Sequence, residues 1–442
     1  MRSRFRAGEL VVPILACLAT LASIGMTYAS LDSASMFLAI PWLAALVAMA
    51  LLLSWKPLDM WLCFYPFLVA QPLISPIFAW AILLLLLALI QLSQVDQRSR
   101  LPMEQVVHLA LILGWALFGF FNAGGNLVAL NKLLGTYLLP VVIYVVIHLL
   151  PDDSDIEFKL PRISVLAFAL IGVGSLIYKF QHPTQERVAG YFEISPTMLG
   201  QTSASLFPIA LFYLATTRRK TWGVVLITLL MLTNLLTNTR IALVMVVMGM
   251  AASYQYLRRF IGPALIVSGI VAVIGIQVVF TRYLELSHKT FDVSVAARLI
   301  AWSAGLKLVA AHPWAGIGLD AFSTQYLAVT KLPLVRLLHA HNSFLMKSAD
   351  LGIPGMLVFF SFLYRRLRDG FRHAGAGLPR ALAWMVTIFL VATLVDSVFY
   401  WTSWTIYYWI MLACLDRFTL RAQRAAAETG GDRAALAGAP SV

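Results

Sequence analysis

Two histidines, His339 and His341, lie two residues apart just before a long hydrophobic stretch that begins after Asn342 and Ser343. An unperturbed imidazole titrates at about pH 6.5, so either ring can accept a proton from a hydroxyl group without a metal. A helix N-terminus carries partial positive charge, which disfavours imidazolium and keeps a nearby ring ready to accept a proton. The pattern predicts a general base at His341 or His339, and Asn342 is a further site candidate. The alternative is that Asn342 or Ser343 caps the next helix while the histidines only fill an interface.

Three arginines stand in segments that break the hydropathy. Arg187 precedes Gly-Tyr191-Phe, Arg240 ends a polar Thr-Asn-Thr-Arg turn, and Arg298 lies four residues before Trp302. A guanidinium fork binds two phosphate oxygens at once, so three such groups that converge outside the membrane would suit a diphosphate. The polar turn favours a buried, anion-binding position for Arg240. The alternatives are that these arginines reach to lipid headgroups or lie on solvated loops and helix faces.

The composition places these residues in a membrane protein. Hydrophobic residues make up 60% of the 442, charged residues only 12%, and the mean hydropathy is +0.83. Soluble domains carry about 25% charged residues. The apolar runs of roughly 16 to 24 residues fit membrane-spanning helices, and no segment alternates like a barrel strand. We therefore expect an all-α polytopic membrane protein with about 12 (12 to 14) transmembrane helices.

The predicted spans and their orientation follow from the apolar runs and from the basic clusters between them. The spans are 10–29, 35–54, 105–122, 127–150, 163–180, 197–216, 222–238, 240–257, 261–280, 343–364, 380–398 and 402–418. The region 58–93 could hold two more. Basic clusters mark cytoplasmic loops, so both termini are expected in the cytoplasm. The first run follows a basic start but is interpreted as a retained span, not a signal peptide.

These spans divide the chain into four parts. Residues 1–280 form an N-terminal transmembrane bundle, 281–342 a periplasmic loop with the catalytic elements, and 343–420 the C-terminal transmembrane helices. Within the loop, helical spacing of apolar residues predicts an interfacial helix that ends at His312-Pro313, before a glycine-rich turn. The tail, residues 421–442, is rich in Ala, Gly and Arg and is expected to be disordered.

Several classes of site find no support in the sequence. The formal charge of +13 resides in clusters between spans, which indicates topology rather than nucleic-acid binding. Cys17, Cys63 and Cys414 lie inside apolar runs without ligand spacing, so neither a disulfide nor a zinc site is expected. There is no P-loop, no GxGxxG after a strand, no HExxH and no GxSxG. We predict no cofactor and no metal, and therefore a donor that carries its own leaving group, such as a lipid diphosphate.

Four short elements together resemble the superfamily of O-antigen ligases and polymerases. His341-Asn342 is followed after nine residues by Gly352 and, two residues later, by Gly355. The elements around Arg187, Arg240 and Arg298 are similar to the family's other motifs and occur in the same order. The resemblance favours His341 over His339 as the base. Individually the motifs are short, but jointly, on this topology, they are fairly specific to the superfamily.

The resemblance implies an O-antigen ligase in the bacterial inner membrane with its active site facing the periplasm. Such an enzyme moves O-antigen polysaccharide from undecaprenyl diphosphate to lipid A-core, in a metal-independent, inverting transfer. The expected partners are the lipid-linked polysaccharide donor, the lipid A-core acceptor and membrane lipids. The alternatives are an O-antigen polymerase or another lipid-linked-oligosaccharide transferase, a lipid or oligosaccharide transporter, and a lipid-binding scaffold without catalysis. Transporters place ionisable residues at mid-bilayer on broken helices, whereas the cations here cluster at an outer mouth.

Overall fold

A computed structural model describes residues 101–150, 155–183, 196–217, 220–254, 293–330, 337–373, 375 and 377–437. Within these residues all regular structure is helical. Six of the described helices are long and apolar enough to cross a membrane. The protein is therefore a helical membrane protein, as the composition predicts, while the number of about 12 spans stays a prediction.

The described helices are numbered in chain order. They are α1 (Met103–Asn122), α2 (Leu127–Leu149), α3 (Ile156–Gln181), α4 (Pro196–Ser205), α5 (Phe207–Thr216), α6 (Lys220–Thr237), α7 (Arg240–Ala252), α8 (Val293–Ala311), α9 (Phe322–Thr330), α10 (Ser343–His373), α11 (Leu378–Ala392), the 3₁₀ turn Val398–Tyr400 and α12 (Thr402–Ala437).

Most of the predicted spans in the described part coincide with a helix. The spans predicted at 105–122 and 127–150 are α1 and α2, and the span predicted at 197–216 is the pair α4 and α5. The helix α7 is shorter than its predicted span, because it ends at Ala252. The spans predicted before residue 101 and at 261–280 lie outside the described residues.

The predicted loop helix is present as α8, and it ends at Ala311 immediately before His312-Pro313. The turn that follows contains two glycines and one aspartate with positive φ: Gly316, Gly318 and Asp320. The C-terminal tail differs from expectation, because α12 continues to Ala437 where disorder is predicted from Arg421 onward. The Ala, Arg and Glu residues in this segment have high helix propensity, which the compositional argument did not weigh.

The helix α10 contains a break, and the loop after α8 binds to α10 at this break. Gly352 has φ 75° and ψ 170°, and Pro354 follows two residues later. A glycine at positive φ ends a helix and a proline begins one well, so the segment is two helices in series. The backbone groups released at the break are bound by the loop, since Ile353 N–H donates to Pro313 O and Ile317 N–H donates to Ala349 O, both at 2.7 Å.

The centre of the bundle is α12, whose residues Tyr407, Tyr408 and Trp409 are fully buried. Below them the buried carboxylate of Asp416 accepts hydrogen bonds from α1 and α2, through Gln105 at 3.0 Å and Tyr144 at 2.8 Å. His148 Nε2 lies 2.9 Å from the same carboxylate. This polar cluster joins the helices and accounts for one of the histidines outside the candidate site.

Candidate functional site

The two motif histidines lie against each other in the short segment before α10. Their ring centroids are 4.2 Å apart, and His341 N–H donates to His339 Nδ1 at 3.3 Å. His341 has φ 49°, a left-handed conformation that is uncommon for residues other than glycine. Unusual backbone of this kind is often retained at functional sites, because it aims side chains that a regular chain would point apart.

The two rings differ in their exposure to solvent. His339 is 7% exposed, whereas 29% of the His341 side chain is exposed. Burial lowers the pKa of His339 to about 4, and positive charge on His341 acts in the same direction. The Nδ1 of His339 is moreover occupied by the His341 N–H. His341 is therefore the ring that a substrate can reach, whereas burial makes His339 a poor proton acceptor.

A third ionisable group, Asp396, joins the pair from the segment after α11. Its Oδ1 lies 3.6 Å from His341 Nδ1, and the Ser397 N–H donates to the same oxygen at 2.8 Å. Burial raises the pKa of Asp396, but the two imidazoles and the Ser397 N–H more than offset this effect and hold the pKa below its usual range. The carboxylate is consequently ionised and faces the ring nitrogen that points away from solvent.

Two residues of the motif hold the segment after α11 against the start of α10. The Asn342 side chain caps α10 by accepting the Leu345 N–H at 3.0 Å, and its amide donates to Leu394 O at 2.8 Å. The Ser343 hydroxyl donates to Asp396 O at 3.1 Å. Capping, which the sequence offered as an alternative to function, is thus present and serves to position Asp396 beside His341.

The loop helix α8 brings Trp302 and Arg298 to the same place. Trp302 Nε1 donates to His341 O at 3.2 Å, which ties α8 to the histidine segment. Arg298 lies one turn earlier on the same helix face, about 6 Å away at Cβ. Its Nε is buried without a hydrogen-bond acceptor among the described residues. A buried donor without an acceptor is costly in an empty site, and an anion would satisfy it.

Arg240 is the first residue of α7, at the end of the Thr-Asn-Thr turn. Its side chain is exposed, so the expectation that the turn buries it is wrong. The turn still connects to the histidines through α4. Gly200 in α4 lets the turn approach this helix closely, because a Cβ at that position would lie 2.6 Å from Thr237 Oγ1. The next residue, Gln201, donates from Nε2 to Asp396 Oδ2 at 3.4 Å.

A lysine and an aspartate lie behind the histidine pair. Lys132 Nζ donates to Tyr400 O at 2.8 Å and lies 3.9 Å from Asp320 Oδ1. The Tyr400 ring packs at a tilt against His339, with the ring centroids 5.0 Å apart. These residues link α2 and the glycine-rich turn to the rear of the site.

The structure thus brings His339, His341, Asn342, Trp302 and Arg298 together. Arg187 and Tyr191 lie outside the described residues, so their predicted roles stay predictions. Sequence reasoning missed Asp396, Gln201 and Lys132. A signal for Asp396 was available, since it is an acidic residue at the outer end of a predicted span.

One expectation from the sequence needs correction, since it found no cluster with metal-ligand spacing. His339, His341 and Asp396 offer one ligand atom each, and these atoms lie within 4.8 Å of one another. The carboxylate is distant in sequence, so no spacing rule could have found the set.

Comparison with known proteins gives one family. Residues 223–360 match the family model Wzy_C, described as O-antigen ligase. The match covers less than half of the chain and includes Arg240, Arg298, Trp302 and both histidines, but not Arg187 or Asp396. A search among curated proteins finds no match. The family match confirms the resemblance predicted from the motifs.

Proposed function

We propose that this protein, whose residues 223–360 match the family model described as O-antigen ligase, transfers O-antigen polysaccharide from undecaprenyl diphosphate to lipid A-core. The family supports a glycosyltransferase-like activity, and the helices support a membrane location. The protein works in the bacterial inner membrane, with both termini in the cytoplasm and the His341 end of the bundle facing the periplasm.

His341 is the general base. Asp396 faces Nδ1 at 3.6 Å, so Nδ1 keeps its proton and Nε2 presents its lone pair to the acceptor hydroxyl. Hydrogen bonds of this kind are often long in an unliganded site and shorten when substrate binds. The single observation that carries this assignment is the pairing of an accessible imidazole with a half-buried, ionised carboxylate.

The reaction is a direct displacement. The proton of the acceptor hydroxyl moves to His341 Nε2 while the acceptor oxygen forms a bond to the anomeric carbon. The bond from that carbon to the diphosphate oxygen breaks, and its electron pair leaves with the undecaprenyl diphosphate. Attack opposite the leaving group inverts the anomeric carbon and needs no covalent enzyme intermediate.

The arginines stabilise the leaving diphosphate. Arg298 is the best supported, because its Nε is buried without an acceptor among the described residues and lies one turn from the tryptophan that holds His341. Arg240 acts from the exposed start of α7, and Arg187 is assigned by resemblance alone. Donors fixed in advance where charge develops lower the barrier more than mobile ones do.

The proposal is tested with purified protein in lipid nanodiscs, lipid-linked polysaccharide and either lipid A-core or a second lipid-linked chain. Polysaccharide ladders on lipid A-core identify a ligase. Growth of the donor chain without transfer to lipid A-core identifies a polymerase of the same superfamily and overturns the ligase assignment. His312→Ala, an exposed histidine on the same loop, is the matched control for every histidine variant.

A further inference from the structure

The cluster of His339, His341 and Asp396 has ligand chemistry beyond that of a proton acceptor. Two imidazoles and one carboxylate with an open fourth position are a ligand set typical of zinc in proteins. The same set suits other late first-row divalent ions, because imidazole is a good ligand for cobalt, nickel and copper as well.

The geometry at His341 Nδ1 fits a metal ligand as well as a lengthened hydrogen bond to Asp396. The 3.6 Å separation from Asp396 Oδ1 exceeds the range of ordinary N–H···O hydrogen bonds. Two ligands of one tetrahedral zinc ion lie about 3.4 Å apart when each bond is about 2.1 Å long. Nδ1 is also buried and has no hydrogen-bond partner among the described residues. The ligand atoms of His339, His341 and Asp396 all lie within 4.8 Å of one another.

The neighbours of the three ligands already hold Asp396 and His341 in place. Asp396 is oriented by the Ser397 N–H at 2.8 Å and by the Gln201 amide at 3.4 Å. Groups of this kind fix a ligating carboxylate and raise metal affinity. Trp302 fixes the backbone of His341 through its carbonyl oxygen at 3.2 Å.

We propose that His339, His341 and Asp396 bind a late first-row divalent metal ion, such as Zn²⁺, and that the bound ion switches the transfer site off. The inhibitory part rests on the proposed function of His341 as a base. A neutral imidazole carries one proton, so a metal on Nδ1 forces that proton onto Nε2. The ring then has no lone pair left for the acceptor hydroxyl. The carboxylate that orients the base is the same group that would hold the inhibitor.

The binding test titrates Co²⁺ alone into the full-length protein, purified without a polyhistidine tag. We expect visible absorption bands of a tetrahedral cobalt site that saturate at one equivalent and disappear when Zn²⁺ is added. His339→Ala, His341→Ala and Asp396→Asn should each weaken cobalt binding at least about 100-fold. Loss of a ligand should cost no less than the largest effect of changing a residue that only orients a ligand. His312→Ala should leave binding unchanged, and thermal melting shows that each variant is folded.

The second arm measures transfer. Zn²⁺ should inhibit the wild-type protein in proportion to site occupancy, and EDTA should restore the rate. Absence of cobalt binding, or binding that persists in all three folded variants, overturns the metal site and leaves the base assignment intact if His341→Ala is inactive. Binding that accelerates transfer overturns both the inhibitory role and the metal-free base of the proposed function.

Discussion

Gly352→Ala tests how the turn after α8 is held against α10. Gly352 has φ 75° and ψ 170°, a region that only glycine adopts readily. A Cβ at this position would lie 2.3 Å from Trp314 O and 2.6 Å from Trp314 C. These atoms are backbone, so no side-chain rotation can relieve the clash, and the turn after α8 must move away from α10.

The cost can be worked from these contacts. Holding alanine in this backbone region costs about 1–3 kcal/mol. Moving the turn also breaks the Ile353–Pro313 and Ile317–Ala349 hydrogen bonds, which contribute about 1 kcal/mol each. The free energy of unfolding should therefore fall by about 3–5 kcal/mol, and the melting temperature by roughly 3–5 °C on the per-residue scaling of soluble domains. Because the turn continues from α8, Arg298 and Trp302 shift with it and transfer slows.

The assay is thermal unfolding in detergent, followed by the transfer rate at a temperature where both proteins are folded. Gly114→Ala is the matched control, since Gly114 lies in α1 with nothing within 4 Å of its Cβ position. The same change there should be neutral or stabilising by up to about 1 kcal/mol. A Gly352→Ala protein with the melting temperature and transfer rate of the wild type would refute the role of Gly352 in holding the turn against α10.

The remaining predictions concern the site. His341→Ala should lower turnover about 10²- to 10⁴-fold without affecting folding, whereas loss confined to His339→Ala would move the base to that residue. Asp396→Asn should lower kcat about 10-fold or more with little change in KM and alter the pH–rate profile; an unchanged profile would argue against an orienting role. Arg298→Ala should weaken competition by free undecaprenyl diphosphate, and Arg298→Lys should rescue it only in part, because lysine lacks the bidentate fork; unchanged competition would remove the leaving-group site. Activity should survive EDTA, so a loss that one divalent ion reverses would contradict the metal-independent transfer. With EDTA present, the free energy of unfolding should decrease as the pH is lowered from 6.5 to about 4, because the folded-state pKa of His339 is lowered and the unfolded chain takes up the proton first. His339→Gln should reduce this dependence of stability on pH.

Several structural features of this protein follow from local patterns in its sequence. The apolar runs, the histidine pair, the loop helix and the break at Gly352 each depend on residues close together in sequence. Hydrophobic periodicity and glycine or proline placement determine such features before any tertiary contact forms. The helix that continues past Arg421 is also a local feature, since its Ala, Arg and Glu residues favour helix.

The tertiary structure alone decided which groups meet. Asp396 reaches His341 because Asn342 and Ser343 bind the chain after α11. Arg240 is exposed although it ends a polar turn. Contacts between residues distant in sequence depend on how whole helices pack, and their pattern is not encoded in any single window. The difference in burial between His339 and His341 belongs here too, since burial, which lowers the pKa of His339 to about 4, is a property of the packed bundle and not of the residue.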